Sequence, residues 1–113
     1  MLRRDVPIKK LVVICGRTDM RKGIDSLVAT VRLNYGLDPI EVGTLFLFCG
    51  RNKSRIKGLF FEGDGFCLIS KRVLNGSFCW PSTPNEARQL SFEQYDRLLT
   101  GFSIDSSIKA GNT

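Results

Sequence analysis

The 113-residue sequence has no histidine, so it lacks the side chain that most often serves as a general base near neutral pH. It also has no C-x-x-C pair: Cys15, Cys49, Cys67 and Cys79 lie singly within apolar runs. A zinc site of ordinary spacing therefore has no ligand set, and no metal site is expected. The four read as buried, reduced thiols acting as small hydrophobes, in keeping with a reducing compartment. No apolar run approaches the roughly 18 residues that a membrane helix needs. The short run at residues 11–15 follows basic residues but carries no cleavage site, so it reads as a first strand and the expected location is cytoplasmic. No glycine-rich loop has Walker spacing, and no cofactor is expected. Internal repeats and low-complexity segments are absent too.

What is present is cationic charge, unevenly placed. The net charge is +6, and fourteen of the 17 basic residues lie at or before Arg72, with only seven of the 11 acidic ones. From Val73 onward the two signs nearly balance. Such asymmetry favours an anionic partner, with nucleic acid foremost and a membrane surface distant. The length and the 42% hydrophobic, 25% charged composition are those of one ordinary globular domain. We place that domain at residues 1–104, with a small, polar, disordered tail at 105–113.

The stretch from residue 48 to 81 sets the expected architecture. Its apolar runs are separated by turn signals at residues 51–54, at Gly63-Asp64-Gly65 and at Asn75-Gly76. Asn-Gly accepts positive φ at both central turn positions and reads as a two-residue hairpin. Strands are expected at residues 8–15, 44–49 (buried and central), 55–61, 66–74 and 77–80. A helix capped by Thr18 or Asp19 should bury Ile24, Leu27, Val28, Val31 and Tyr35 and stop at Gly36. Residues 81–84 read as a stiff linker. Ser91 and Gln94 form a capping box opening a second helix, which should bury Phe92, Tyr95, Leu98 and Leu99 and stop at Gly101. The expected fold is α+β: an antiparallel β-meander of about five strands with two main helices packed on the sheet.

On this frame the cations gather. Arg51 and Lys53 sit at a hairpin tip, Arg55 and Lys57 on the next strand, and Lys71 and Arg72 on its neighbour. Arg17, Arg21 and Lys22 surround a helix N-terminus, where free N–H groups already favour phosphate. These nine are the candidate nucleic-acid-binding residues. The competing reading has Arg21 and Lys22 pairing with Asp19 or Asp25 on the surface. Trp80 and Phe78 could stack on bases, but aromatics on a short strand facing a helix are more often core, with Trp80 under Leu98 and Leu99. Asp19, Asp25, Glu62 and Asp64 could be tried as a nuclease set. A cap, a helix-start partner and a turn residue are simpler roles for Asp19, Asp25 and Asp64.

Three stretches carry a family resemblance: RTDMRKGIDSL (17–27), FCGRNKSRIKGL (48–59) and GFCLISKRVLNGSFCWP (65–81). Together they resemble the small accessory proteins encoded by the second open reading frame of insertion-sequence-66-type transposons. Thr18, Asp19, Met20, Arg21, Lys22, Asp25 and Leu27 fall on the first family motif. Arg51 and Lys57 fall on the second, and Lys71, Arg72, Gly76, Phe78, Trp80 and Pro81 on the third. The chain departs from the pattern at Phe61-Glu62, Ser70 and Val73-Leu74. The resemblance implies a protein acting beside a larger transposase that carries the catalytic carboxylates. The expected function is thus a non-catalytic accessory role in DNA transposition, with transposon-end DNA and the transposase as partners. The alternatives are a protein–protein adaptor that binds no DNA and, behind it, a metal-dependent nuclease.

Overall fold

Two nearly all-apolar strands lie side by side in the middle of the sheet. In the computed structural model, which describes residue 3, residues 5–101 and residue 104, β1 (Lys10–Ile14) pairs in parallel with β2 (Thr44–Cys49), Leu11 opposite Leu45 and Val13 opposite Leu47. Every residue of both except Lys10 is buried, as strands covered on both faces must be. β3 (Arg55–Phe61) and β4 (Phe66–Arg72) follow as antiparallel neighbours joined by the expected turns, and β5 (Ala87–Leu90) returns antiparallel to β1. The order is β4-β3-β2-β1-β5. The class is α+β with two helices, but the all-antiparallel meander is overturned: β1 and β2 run the same way and need a crossover between them.

That crossover is α1 (Ile24–Ala29), continued by a π-helical turn, Thr30–Asn34. Leu27 and Val31 are buried, and Ile24, Val28 and Tyr35 pack beside them against Val12, Ile14, Phe46, Phe48 and Leu59. The predicted stripe is therefore the one used. Gly36 at φ +64° ends the segment: its N–H donates to the Arg32 carbonyl at 3.2 Å, the bond of an αL cap, and the Leu37 N–H donates to the Val31 carbonyl at 3.2 Å.

The opposite face of the sheet presents Leu11, Val13, Leu45, Leu47, Cys49, Ile56 and Phe60 to Phe78, Trp80 and Leu98. Trp80 is core here, and its indole N–H donates to the Ile14 carbonyl at 2.9 Å. α2 (Phe92–Leu99) carries the capping box in full: Ser91 Oγ accepts from the Gln94 N–H, and Gln94 Oε1 accepts from the Ser91 N–H. Leu98 is fully buried, and Tyr95 and Leu99 are partly so, whereas Phe92 is 54% exposed and does not join the core as expected.

The C-terminal part of the long apolar stretch also differs. Asn75-Gly76 makes no hairpin, because only Gly76 takes positive φ (+81°) and a type I′ turn needs it at both positions. Residues 77–80 consequently form no strand, and the fifth strand lies beyond the supposed linker, at β5. Cys15 and Cys49 are buried as expected, but Cys67 is only half-buried and Cys79 is exposed. The tail expected at residues 105–113 lies outside the described residues. Among the described residues no helix is long and apolar enough to cross a membrane.

Candidate nucleic-acid interface

Parallel β1 and β2 end at the same edge of the sheet, and the loops leaving them face each other there. This is the edge at which open sheets with a βαβ crossover usually hold ligands. After β1 the chain turns at Gly16, whose φ of +75° suits glycine. The Gly16 N–H donates to the Pro81 carbonyl at 2.8 Å and the Thr18 N–H to the Cys49 carbonyl at 2.7 Å. Arg17 lies between these two anchors. Gly50 follows β2 directly, and a Cβ there would come within 2.6 Å of Met20 Cγ, so glycine lets the loop after β1 lie against the end of β2.

That loop is not the helix start the sequence suggested. Asp19 Oδ1 accepts from the Arg21 backbone N–H at 2.9 Å and from Nε at 3.0 Å, while Oδ2 accepts from Nη2 at 2.8 Å. A short side chain that satisfies its own neighbour's backbone competes with helix formation. α1 accordingly starts only after Gly23, with no side-chain cap, so neither Thr18 nor Asp19 acts as one. Hydrogen bonds from the Arg21 side chain and backbone, aided by its charge, hold the Asp19 carboxyl well below the usual carboxylate range.

Arg55 and Arg72 are direct cross-strand partners on β3 and β4, and Arg51 projects from the turn between β2 and β3. With Arg17 and Arg21 they line one cleft of about 650 Å³, in which Asp19 is the sole carboxylate among the described residues. Among the described residues, Arg17, Arg51, Arg55 and Arg72 make no ion pair. A second lobe of about 340 Å³ adjoins it, sharing Arg17, Gly50 and Arg51 and continuing to Lys53, Trp80, Pro81 and Pro84.

The cleft thus unites five of the nine candidate cations, and Lys53 reaches its neighbouring lobe. The other three go elsewhere. Lys57 turns inward and donates to the Lys22 carbonyl at 2.9 Å, stapling the approach to α1. The Lys22 ammonium reaches Thr30 Oγ1 at 3.3 Å. Lys71 pairs with Ile56 across the strands and so occupies the sheet face opposite to Arg72. The carboxylates weighed as a nuclease set are not assembled either. Glu62 and Asp64 sit at the far end of β3, about 20 Å from Arg55 at strand rise. Glu62 is 5% exposed, and the Arg3 N–H and the Cys67 thiol donate to it. Among the described residues no three His, Cys, Asp or Glu side chains gather as a metal site. The contribution of residues 81–84 went unseen in the sequence, where two prolines read as a spacer. The strand–helix–strand order at 8–49 was the signal that could have placed the cleft.

The fold and cleft define a class: a small mixed-sheet protein with an arginine-lined groove at the carboxyl ends of a parallel strand pair. The chain belongs to the IS66 Orf2-like protein family, whose model matches residues 9–109, and so to the transposition-associated accessory proteins of IS66 elements. Two relatives come from Sinorhizobium fredii (strain NBRC 101917 / NGR234). The uncharacterized protein y4hO is 40% identical over 89 residues, covering 79% of this chain and 76% of its own. The uncharacterized protein y4jC is 28% identical over 92 residues, covering 81% and 78%. No solved structure matches the chain significantly.

Proposed function

We propose that the protein assists transposition by binding DNA through the arginine cleft and does no bond-breaking chemistry of its own. The observation that carries this is the gathering of Arg17, Arg21, Arg51, Arg55 and Arg72 around one groove with a single carboxylate, itself committed to Arg21. Guanidiniums offer forked donors matched to phosphate oxygens. Two of them, Arg55 and Arg72, face each other across adjacent strands, an arrangement that costs stability in the absence of an anion. A phosphate between them would neutralise that repulsion. Four phosphate contacts, from Arg17, Arg51, Arg55 and Arg72, would release counterions so that log affinity falls with log salt at a slope of about −3.6.

Electrophoretic mobility shift against transposon-end DNA, titrated at several salt concentrations, tests the reading. Binding with a steep salt slope, lost in Arg17→Glu with Arg51→Glu, is expected. Absence of any shift at low salt, with or without the transposase, would remove it. The adaptor reading has an observation of its own. Ile8, Ile40 and Val42 are exposed near the start of β1 and β2, at the end of the sheet away from the cleft. Nuclease-resistant co-purification with the transposase, in a protein without DNA affinity, would select it.

A further inference from the structure

The arginine cleft does not close at Arg17 and Arg51. Beyond them the groove changes character: Pro81 and Pro84 line it together with the small part of Trp80 that the core leaves uncovered (5% exposed), and Ser82 and Lys53 complete the lining. A ligand filling both lobes must carry dense negative charge at one part and a flat, weakly polar body at the next. Loop geometry fixes this adjacency, since Gly16 is tied to Pro81 while Thr18 is tied to the end of β2, with Arg17 between.

Duplex DNA does not match such a groove well. Its phosphates are outermost and its bases are stacked inside, so reading them takes a protruding helix or ribbon that enters the major groove. Neither helix is offered for that: α1 lies against one sheet face and α2 packs on the other. An unpaired strand can present a phosphate and the face or edge of a base together, which is how recessed grooves with cationic and aromatic walls bind it. We infer that the two-lobed groove takes an unpaired stretch of DNA, its phosphates on the arginines and a base against Trp80, Pro81 and Pro84. This inference rests on the DNA-binding reading above and names the form of DNA that the same site selects.

Trp80 is the chain's one tryptophan, so its emission reports directly on the second lobe. The full chain is titrated with a single-stranded oligonucleotide and with the duplex of the same sequence, following affinity by anisotropy and occupancy by Trp80 fluorescence. Single strand is expected to bind roughly tenfold or more tightly than duplex, the scale of one lost base contact, and to quench Trp80. Duplex is expected to leave the emission unchanged. Ser82→Glu, which places a carboxylate at the edge of the apolar lobe, should weaken single-strand binding by a larger factor than duplex binding. Equal affinities with no change in Trp80 emission would overturn the inference and leave the DNA-binding reading intact. No binding of either form at low salt would overturn both.

Discussion

Replacing Arg72 with glutamine separates what the cleft contributes to binding from what it costs the fold. Arg55 and Arg72 are exposed and directly opposite each other on antiparallel strands. Like charges so placed destabilise by about 0.2–1 kcal/mol, and solvent screening puts this pair toward the lower end. Glutamine keeps most of the stem and removes the charge. At about 4–8 °C per kcal/mol for a domain near this size, Arg72→Gln should melt about 1–4 °C higher than the parent in low salt. At 1 M salt, where the screening length is about 3 Å, the difference should vanish. The same variant should bind DNA roughly tenfold less tightly, the scale of one charge-assisted hydrogen bond. Its salt slope should be about one unit shallower. Differential scanning fluorimetry at two salt concentrations and a binding titration read all of these. A variant that melts lower and binds unchanged would refute the argument and make Arg72 a structural residue.

Charge reversal at the adjacent position gives a sharper contrast: Arg72→Glu should abolish DNA binding while Lys71→Glu, on the opposite sheet face, should lower it by no more than a few-fold in a mobility shift. Asp19→Asn should free the Arg21 guanidinium and remove the cleft's carboxylate, tightening DNA binding severalfold and lowering the melting temperature slightly. If Asp19 instead served a nuclease, metal-dependent cleavage would be present in the parent and lost in this variant. Burial pushes the Cys49 thiol up from 9.0 to about 11, so the unfolded chain ionises first. Stability should therefore be intact below about pH 9 and fall by about 2–3 kcal/mol as pH rises to 11, at 1.36 kcal/mol per unit. Urea midpoints from pH 8 to 11, compared with Cys49→Ala, check this, and an identical pH slope in the variant would refute it.

Much of the architecture was legible because it depends on local rules. The stripe from Ile24 to Tyr35, the stop at Gly36, the box at Ser91 and Gln94 and the turns beside Gly50 and Gly63 need only short-range sequence. The parallel pairing of β1 and β2 was obscured by the hairpin signals that follow. Yet strand, helix and apolar strand in succession describe a crossover, which favours parallel partners. β5 was hidden for a different reason. Ala87, Arg88, Gln89 and Leu90 have no alternation worth the name, and only the open edge of β1 makes them a strand. Of the cations, five converge because Arg17, Arg51 and their neighbours lie at strand ends and loops on one rim. Lys57 and Lys71 illustrate what spacing cannot supply, since one serves the backbone of a distant loop and the other is carried to the opposite face by a one-residue step along β4.

The place of β5 bears on how the chain comes to be folded at all. β1 leaves the ribosome well before β5, so the hydrogen bonds on one of its sides wait for residues 87–90. At about 5–20 residues per second, synthesis leaves the Leu11–Ile14 edge unclaimed for roughly 4–15 seconds. In that interval Lys9 and Lys10, immediately upstream, serve as gatekeepers against pairing with other nascent chains. A product truncated before Ala87 would keep that raw edge permanently, so the four unremarkable residues of β5 decide whether the apolar β1 is paired on both sides or left open to aggregation.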